Sequence, residues 1–460
     1  MKVFILMLTS LALIFPVSLV SKPQEVEGVL EKFEAPHPYK GVKGAVWEKQ
    51  IDEFRSSPLP GDTAIVKPVG ENTDSAYGFV GDKMAYAGDP SGPGNIIGDM
   101  ASTLAASSGG FAFTVTKPWS PWSGYKVGDG SEFRAGDFNG DGQTDLIHFV
   151  GDYINFWPGG SPNVTTWHPG YNVGTGFHFS IGKFNRDRLN DLIDITGSSL
   201  RTWFSQGNGR FTIKEWSPGY WVGWSYEFIT GDFNGDGLTD LAHVQTGPDG
   251  RGKKGTWLAR GDGSFIIKPW NCVGSARYYK AGDFNGDGKT DLVLLGNKSI
   301  STYFSRGDGS FALQKWTPPN NTVPNRFSLG NFNRDNKADL IYFDNSKVCV
   351  YMSQGGGTYF FKEFTPGSGY DVGDGTRFMT GDFNGDGLTD LIHFCDTYTH
   401  VWIAKGDGSF TVFDKWASAE DPNVGKGWTF KTGILKNISQ DNKTDLIHFM
   451  GMHIRTWETH

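Results

Sequence analysis

Cysteine is nearly absent: the chain has three in 460 residues, Cys272, Cys349 and Cys395. So small and odd a number excludes a disulfide framework, and Cys349 and Cys395 are expected to remain thiols. Runs of lysine or arginine are also missing, and with a formal net charge of -8 this argues against a nucleic-acid partner. Past the N-terminus no segment approaches membrane-spanning length. Residues 22–110 contain a single histidine, His37, and no nucleophile, metal or phosphate motif, so no catalytic domain is expected there.

What the chain does have is glycine, 64 residues, and 15% aromatics, a composition suited to an all-β protein with many tight turns. Lys2, the apolar run 3–20 with Pro16, and the small Ser21 follow the order of a secretory signal peptide, with cleavage expected after Ser21. The mature protein is therefore expected outside the cell. Sequons at Asn163, Asn297, Asn320, Asn437 and Asn442 permit glycosylation. Residues 22–110 include two short helical patterns, 25–33 and 46–54, and end in a linker at 101–110.

The dominant feature is a repeat. Gly136-Asp137-Phe138-Asn139-Gly140-Asp141-Gly142-Gln143-Thr144-Asp145-Leu146 has near-perfect copies starting at Asp232, Asp283 and Asp382, and weaker ones at Lys183, Asn331 and Asn437. The flanks alternate like strands, so each loop joins two antiparallel strands. A period near fifty residues points to a propeller or solenoid. In D-x-N-x-D-G-x-x-D the side chains at positions 1, 3, 5 and 9 are oxygen donors able to converge on one hard cation, for which calcium is the natural guest. An EF-hand would place a glutamate at position 12; His148, His243, Leu294 and His393 stand there instead.

The strong metal set is Asp137, Asn139, Asp141, Gln143 and Asp145; Asp232, Asn234, Asp236, Leu238 and Asp240; Asp283, Asn285, Asp287, Lys289 and Asp291; and Asp382, Asn384, Asp386, Leu388 and Asp390. Weaker sites are expected at Asn331, Asn333, Asp335 and Asp339, and at Asn437, Asp441 and Asp445, where a neutral donor replaces the first carboxylate. Lys183 and Arg188 make the second loop metal-free by expectation. The four strong loops hold twelve aspartates, so much of the acidity is expected to serve metal.

These motifs resemble the FG-GAP and VCBS repeats of the integrin α-subunit head and of a secreted mushroom propeller lectin. The resemblance covers about residues 111–460. It implies a calcium-bearing seven-bladed β-propeller of four-stranded blades, and a role in glycan binding, adhesion or as an enzyme's accessory domain. The seventh repeat ends one strand short at His460, while residues 111–119 read as a fourth strand without a blade. The N-terminal strand is thus expected to complete the C-terminal blade.

The resembled lectin binds glycans between blades, which makes Trp119, Tyr125, Trp167, Tyr171, Trp216, Tyr220 and Tyr370 candidate ligand residues. Packing between blades is the competing role for such aromatics, and the expected role for the third-strand set led by Trp203 and Trp257. His148, His243, His393 and His448 share one repeated strand position. Propeller symmetry would spread them around the ring, so hydrogen bonding rather than a zinc centre is expected. Two hairpin turns spell Arg-Gly-Asp, at 260–262 and 306–308; equivalent turns with Gln or Lys in the arginine's place assign the Gly-Asp to turn geometry. The reading that follows is a secreted, non-catalytic, calcium-binding protein for glycans, with a protein partner in adhesion or an enzyme accessory role as alternatives.

Overall fold

The computed structural model describes residues 113–459, apart from 116–119, 121–123, 160, 162, 225–227, 245–254, 271–278, 297, 320–326, 368–369, 374, 417–423, 426 and 436–440. The expected signal peptide and the 22–110 segment lie outside the described residues. No described helix is long and apolar enough to cross a membrane.

Seven antiparallel sheets follow one another as the blades of a propeller. Blade 1 is Phe133–Gly136, Asp145–Val150, Tyr153–Trp157 and Thr165–Trp167. Blade 2 begins with Phe179–Gly182 and Asp191–Gly197, and blade 3 with Phe228–Gly231 and Asp240–His243. The same alternation continues to blade 6, Phe378–Gly381, Asp390–Phe394, Thr399–Ala404 and Phe410–Trp416. Blade 2 gains a fifth short strand, Gly223–Trp224, which pairs with its second strand.

Each blade is built by period-two patterning. In Asp145–Val150 the Leu146 side packs on one neighbouring blade and the Ile147 side on the other, because both faces of a blade are covered. Seven apolar clusters of described residues result, one at each seam between blades. Trp157, Trp203, Trp257, Trp402 and Trp457 of the third strands are fully buried in them, as the packing role requires. The free thiols of Cys349 and Cys395 agree with the absence of a disulfide between them; Cys272 lies outside the described residues.

The ring closes as expected from the strand count. Blade 7 has Phe430–Gly433, Asp445–Phe449 and Ile454–Thr459, and its outermost strand is Phe113–Val115 from the start of the propeller, antiparallel to the last strand with Phe113 opposite Thr459 and Val115 opposite Trp457. Phe113 meets Trp457 edge-on at 5.7 Å and lies in the same cluster as Phe383 of blade 6. Four of the links into the blades also tie back. Gly128 bridges Gly451, Gly151 bridges Gly174, Asn345 bridges Gly373 and Asp396 bridges Gly425. Two residues beyond the first of these bridges, Gly130 adopts a φ of 86°, and a Cβ there would run into the Phe449 ring. Only glycine allows that approach.

Phe113→Ala should cost about 3–5 kcal/mol, as for other buried phenylalanines, and deleting residues 111–119 should also expose the edge of Ile454–Thr459 and promote self-association. Thermal melts with light scattering check both. An unchanged melting temperature and a monomeric deletion variant would refute strand-mediated closure.

Candidate functional site

The repeated loop does two jobs, and the geometry separates them. Its closing residue, the ninth in six of the loops, is a completely buried aspartate in every blade: Asp145, Asp191, Asp240, Asp291, Asp339, Asp390 and Asp445. One carboxylate oxygen accepts the N–H of the residue at position 2, as from Phe138 at 2.8 Å or Phe332 at 2.9 Å. The other accepts an N–H at the end of the third strand, from Gly159, Ser205, Ala259, Ser305, Ser353, Ala404 or Thr459 at 2.7–2.9 Å. This aspartate pins loop to strand even in blade 2, where Lys183 and Arg188 (φ 74°) depart from the motif.

The loop also joins blades. The position-8 N–H donates to the position-1 carbonyl of the preceding blade at all seven seams, from Asn190 to Asp137 (2.7 Å) round to Thr144 and Ile434 (2.8 Å). Position-8 hydroxyls return the bond, as Lys183 N–H donates to Thr239 Oγ1 and Ile434 N–H to Thr144 Oγ1. Ser205 Oγ donates to Phe138 O at 2.6 Å across the same seam, and Phe138 itself packs against Phe211 of blade 2.

This register corrects the seventh loop. Leu435 N–H occupies Asp445 where Phe138 occupies Asp145, so Ile434, not Asn437, stands in the place of Asp137. Eleven positions separate Ile434 from Asp445, against eight from Asp137 to Asp145. The three-residue insertion falls around residues 436–440, outside the described residues, and an apolar side chain holds the first ligand position.

The remaining loop side chains converge as a cation site requires. Asp137 accepts Gly140 N–H at 2.6 Å and Gly142 N–H at 3.0 Å. Asn139 Nδ2 reaches both Asp141 Oδ2 at 3.0 Å and Asp145 Oδ1 at 3.3 Å, so positions 3, 5 and 9 face one centre. Asp232, Asp283 and Asp382 repeat the position-1 bonds in their own loops. Burial first, and the neighbouring Asp141 and Asp137 in addition, push the Asp145 carboxyl up to about 8 despite its N–H donors. Asp240, Asp291 and Asp390 are likewise raised to about 8. Oxygen donors, clustered negative charge and a glycine-permitted turn fit calcium.

The repeated histidines are core residues. His148, His243, His393 and His448 each stack on the first-strand phenylalanine of their blade at 4.0–4.4 Å, and burial holds His148 down at about 4. The described residues contain no group of three or more His, Cys, Asp or Glu side chains arranged to hold a metal outright.

The link aromatics are packed more closely than stacking platforms would be. Tyr125, only 5% exposed, is a correction: its hydroxyl is committed to His148 Nδ1 and to Asn155 Nδ2. Tyr171 and Tyr370 accept bonds from Trp203 and Trp402. Trp167 and Trp216 are half-buried, edge-on to Trp203 and Trp257 of the next blade; Tyr220 is half-buried against the latter. Trp119 lies outside the described residues. In both Arg-Gly-Asp turns the aspartate caps its own hairpin, Asp262 on Ser264 and Asp308 on Ser310.

The most exposed of the described phenylalanines and tryptophans is one that periodicity did not single out. Phe360, 57% exposed, stands in a groove of about 520 Å³ with Asn333, Met352, Gln354 and Lys362 of blade 5 and Gly406 and Asp407 of blade 6. Lys362 Nζ bonds Asp407 Oδ2 at 2.6 Å across it.

Residues 183–243, 283–342 and 331–393 match the family model described as FG-GAP-like repeat. The chain carries FG-GAP-like repeats. Such repeats often bind calcium. No curated protein matches significantly. Among solved structures, one of specific recognition of non-reducing terminal N-acetylglucosamine by an Agrocybe aegerita lectin is similar, at 17% identity and TM-score 0.53, over 65% of this chain and 82% of that one. The Vibrio cholerae biofilm matrix protein Bap1 is a more distant likeness, at 11% identity and TM-score 0.33 over 71% and 76%. At these identities the FG-GAP-like propeller shares a fold with the lectin and nothing finer.

Two predictions separate the jobs of the loop. Asp145→Ala strands two buried N–H groups and should cost about 2–4 kcal/mol with or without calcium, whereas Asp141→Ala should be near neutral in chelator and lose roughly 2.7 kcal/mol when free calcium is a hundredfold above the dissociation constant. Denaturant melts in both conditions check this. The pH dependence follows from the raised carboxyls. Because the folded state holds their protons more tightly than the unfolded chain, metal-free stability should be greatest below about pH 4 with respect to these groups, and decline toward pH 8. Saturating calcium should abolish that decline, which melts across this pH range with and without EDTA will show.

Proposed function

We propose that the protein is a secreted, calcium-stabilised, non-catalytic glycan-binding propeller whose sugar site is the groove between blades 5 and 6. The observation that carries this reading is the open Phe360 ring beside two amides and a charge pair. A pyranose offers an apolar C–H face to an aromatic ring and hydroxyls to planar amides and carboxylates. The groove's volume lies in the range of small-molecule sites. The lectin from Agrocybe aegerita supports the capacity of this architecture to host a sugar.

The Phe360 position is not repeated. Blades 2, 4 and 6 place Thr212, Ala312 and Thr411 there, and blade 3 places Ile266. The site is therefore one per chain. Calcium in the loops stabilises the ring, with Asn333 the one residue shared by a loop and the groove, and secretion rests on the leader-like residues 1–21, into surroundings where calcium is plentiful.

A glycan array in calcium should give sugar hits, and Phe360→Ala should weaken the best of them roughly tenfold without altering the melting temperature. One sugar should bind per chain in calorimetry. Silence on the array together with binding to a matrix protein would replace this reading with adhesion, and turnover of a polysaccharide would replace it with an enzymatic role.

A further inference from the structure

The loop oxygens that face the cation centre are not equally available, because several already bear a cationic side chain. At Asp141 the inward oxygen is Oδ2, the atom that Asn139 Nδ2 touches while also touching Asp145; Oδ1 is turned back to Gln143 N–H. In the loop at Asp283 the corresponding Asp287 Oδ2 carries Lys289 Nζ at 2.7 Å. Asp335 Oδ2 carries Lys337 Nζ at the same distance.

In blades 3 and 6 the cation comes from the preceding blade. Arg186 NH2 lies 3.5 Å from Asp236 Oδ2, and Arg334 NH2 lies 3.4 Å from Asp386 Oδ2. Both arginines replace the position-4 glycine of a degenerate loop: Arg186 in the Lys183 loop and Arg334 in the Asn331 loop. Arg334 does so in the left-handed region, φ 64°, which glycine would adopt without strain. The same reach thus occurs twice, from a metal-poor loop to the intact loop one blade on. Asp141 is the one position-5 aspartate of the four intact loops with no cationic side chain on Oδ2 among the described residues.

We propose that the intact loops fill with calcium in a built-in order: the Asp137 loop first, and the Asp232, Asp283 and Asp382 loops at higher calcium, because Arg186, Lys289 and Arg334 must first leave the ligand oxygen. This rests on the calcium reading of the loops and goes beyond it by assigning competitors. A guanidinium and a divalent cation cannot share that oxygen without repelling each other. Calcium therefore displaces the arginine, and in blades 3 and 6 it exchanges an ion pair across the seam for a bond within the loop. These ion pairs are partly exposed, so each competitor weakens its site by a small factor, roughly two- to fivefold.

The test is calcium titration of the full chain against a chromophoric chelator, with native mass spectrometry counting the ions bound. The wild type should show one tight site that Asp141→Ala removes. The double variant Arg186→Ala with Arg334→Ala should tighten two of the weaker sites two- to fivefold and leave the tight one unchanged. Arg186→Gln with Arg334→Gln, which keeps a hydrogen-bonding side chain but drops the charge, should do the same. The proposal is overturned if the double variants leave the weaker sites unchanged or weaken them, or if Asp236→Ala rather than Asp141→Ala removes the tight site. A wild type that binds no calcium at all overturns the calcium reading itself, an outcome distinct from calcium bound in the wrong order.

Discussion

The rest of the molecule depends on one buried carboxylate repeated seven times. A buried aspartate is costly to desolvate unless its oxygens are satisfied, and here each oxygen takes a main-chain N–H, one from the loop and one from the end of the third strand. The pair of bonds fixes where the first strand, the loop and the third strand lie relative to one another. Position 8, the residue just before it, then bonds the preceding blade. Geometry inside a blade and the step between blades are set within two adjacent residues, which is why the buried aspartate keeps its bonds in blade 2, where Lys183 stands in the first ligand position.

Apolar packing supplies the bulk of the stabilisation, and the polar loop supplies the register. Each seam has its own cluster, typically a third-strand tryptophan with a phenylalanine from the loop or first strand. Flat sheets could slide past one another on such surfaces. The inter-blade N–H to carbonyl bonds remove that freedom, because each is directional and each would be left unpaired by a slip. The loop's charge has the opposite character: the same carboxylates that order the chain repel one another, and a bound cation or a lysine or arginine side chain relieves them.

Fold and closure were legible in the sequence because they depend on spacing and strand count. The missing fourth strand of the last repeat and the spare strand near Phe113 can be matched without coordinates. The seventh loop was not, since its Asp441-Asn442-Lys443-Thr444-Asp445 end aligns well and hides an insertion upstream; only the partner of Asp445 shows that Ile434 is in the first position. Burial of Tyr125 was illegible for a different reason. An aromatic beside Pro-Gly or Ser-Gly reads alike whether its ring faces water or the next blade, and its hydroxyl partners, His148 and Asn155, lie far along the chain. Phe360 escaped notice because its exposure depends on blade 6, and Arg186 and Arg334 because their acids are about fifty residues away.

The strand Phe113–Val115 has a consequence for synthesis. Its partner, Ile454–Thr459, is made only after the other six blades, so the contact that completes the ring joins residues separated by nearly the whole described chain. Six blades can form in turn as the polypeptide emerges, each resting on the one before, while Phe113 and Val115 remain apolar side chains without their seam. A chain stalled or cut before Trp457 would keep this unpaired strand and an uncovered blade face, both of them adhesive to other copies. The strand that covers Ile454–Thr459 in the folded ring therefore leaves every unfinished copy vulnerable until that segment has been made.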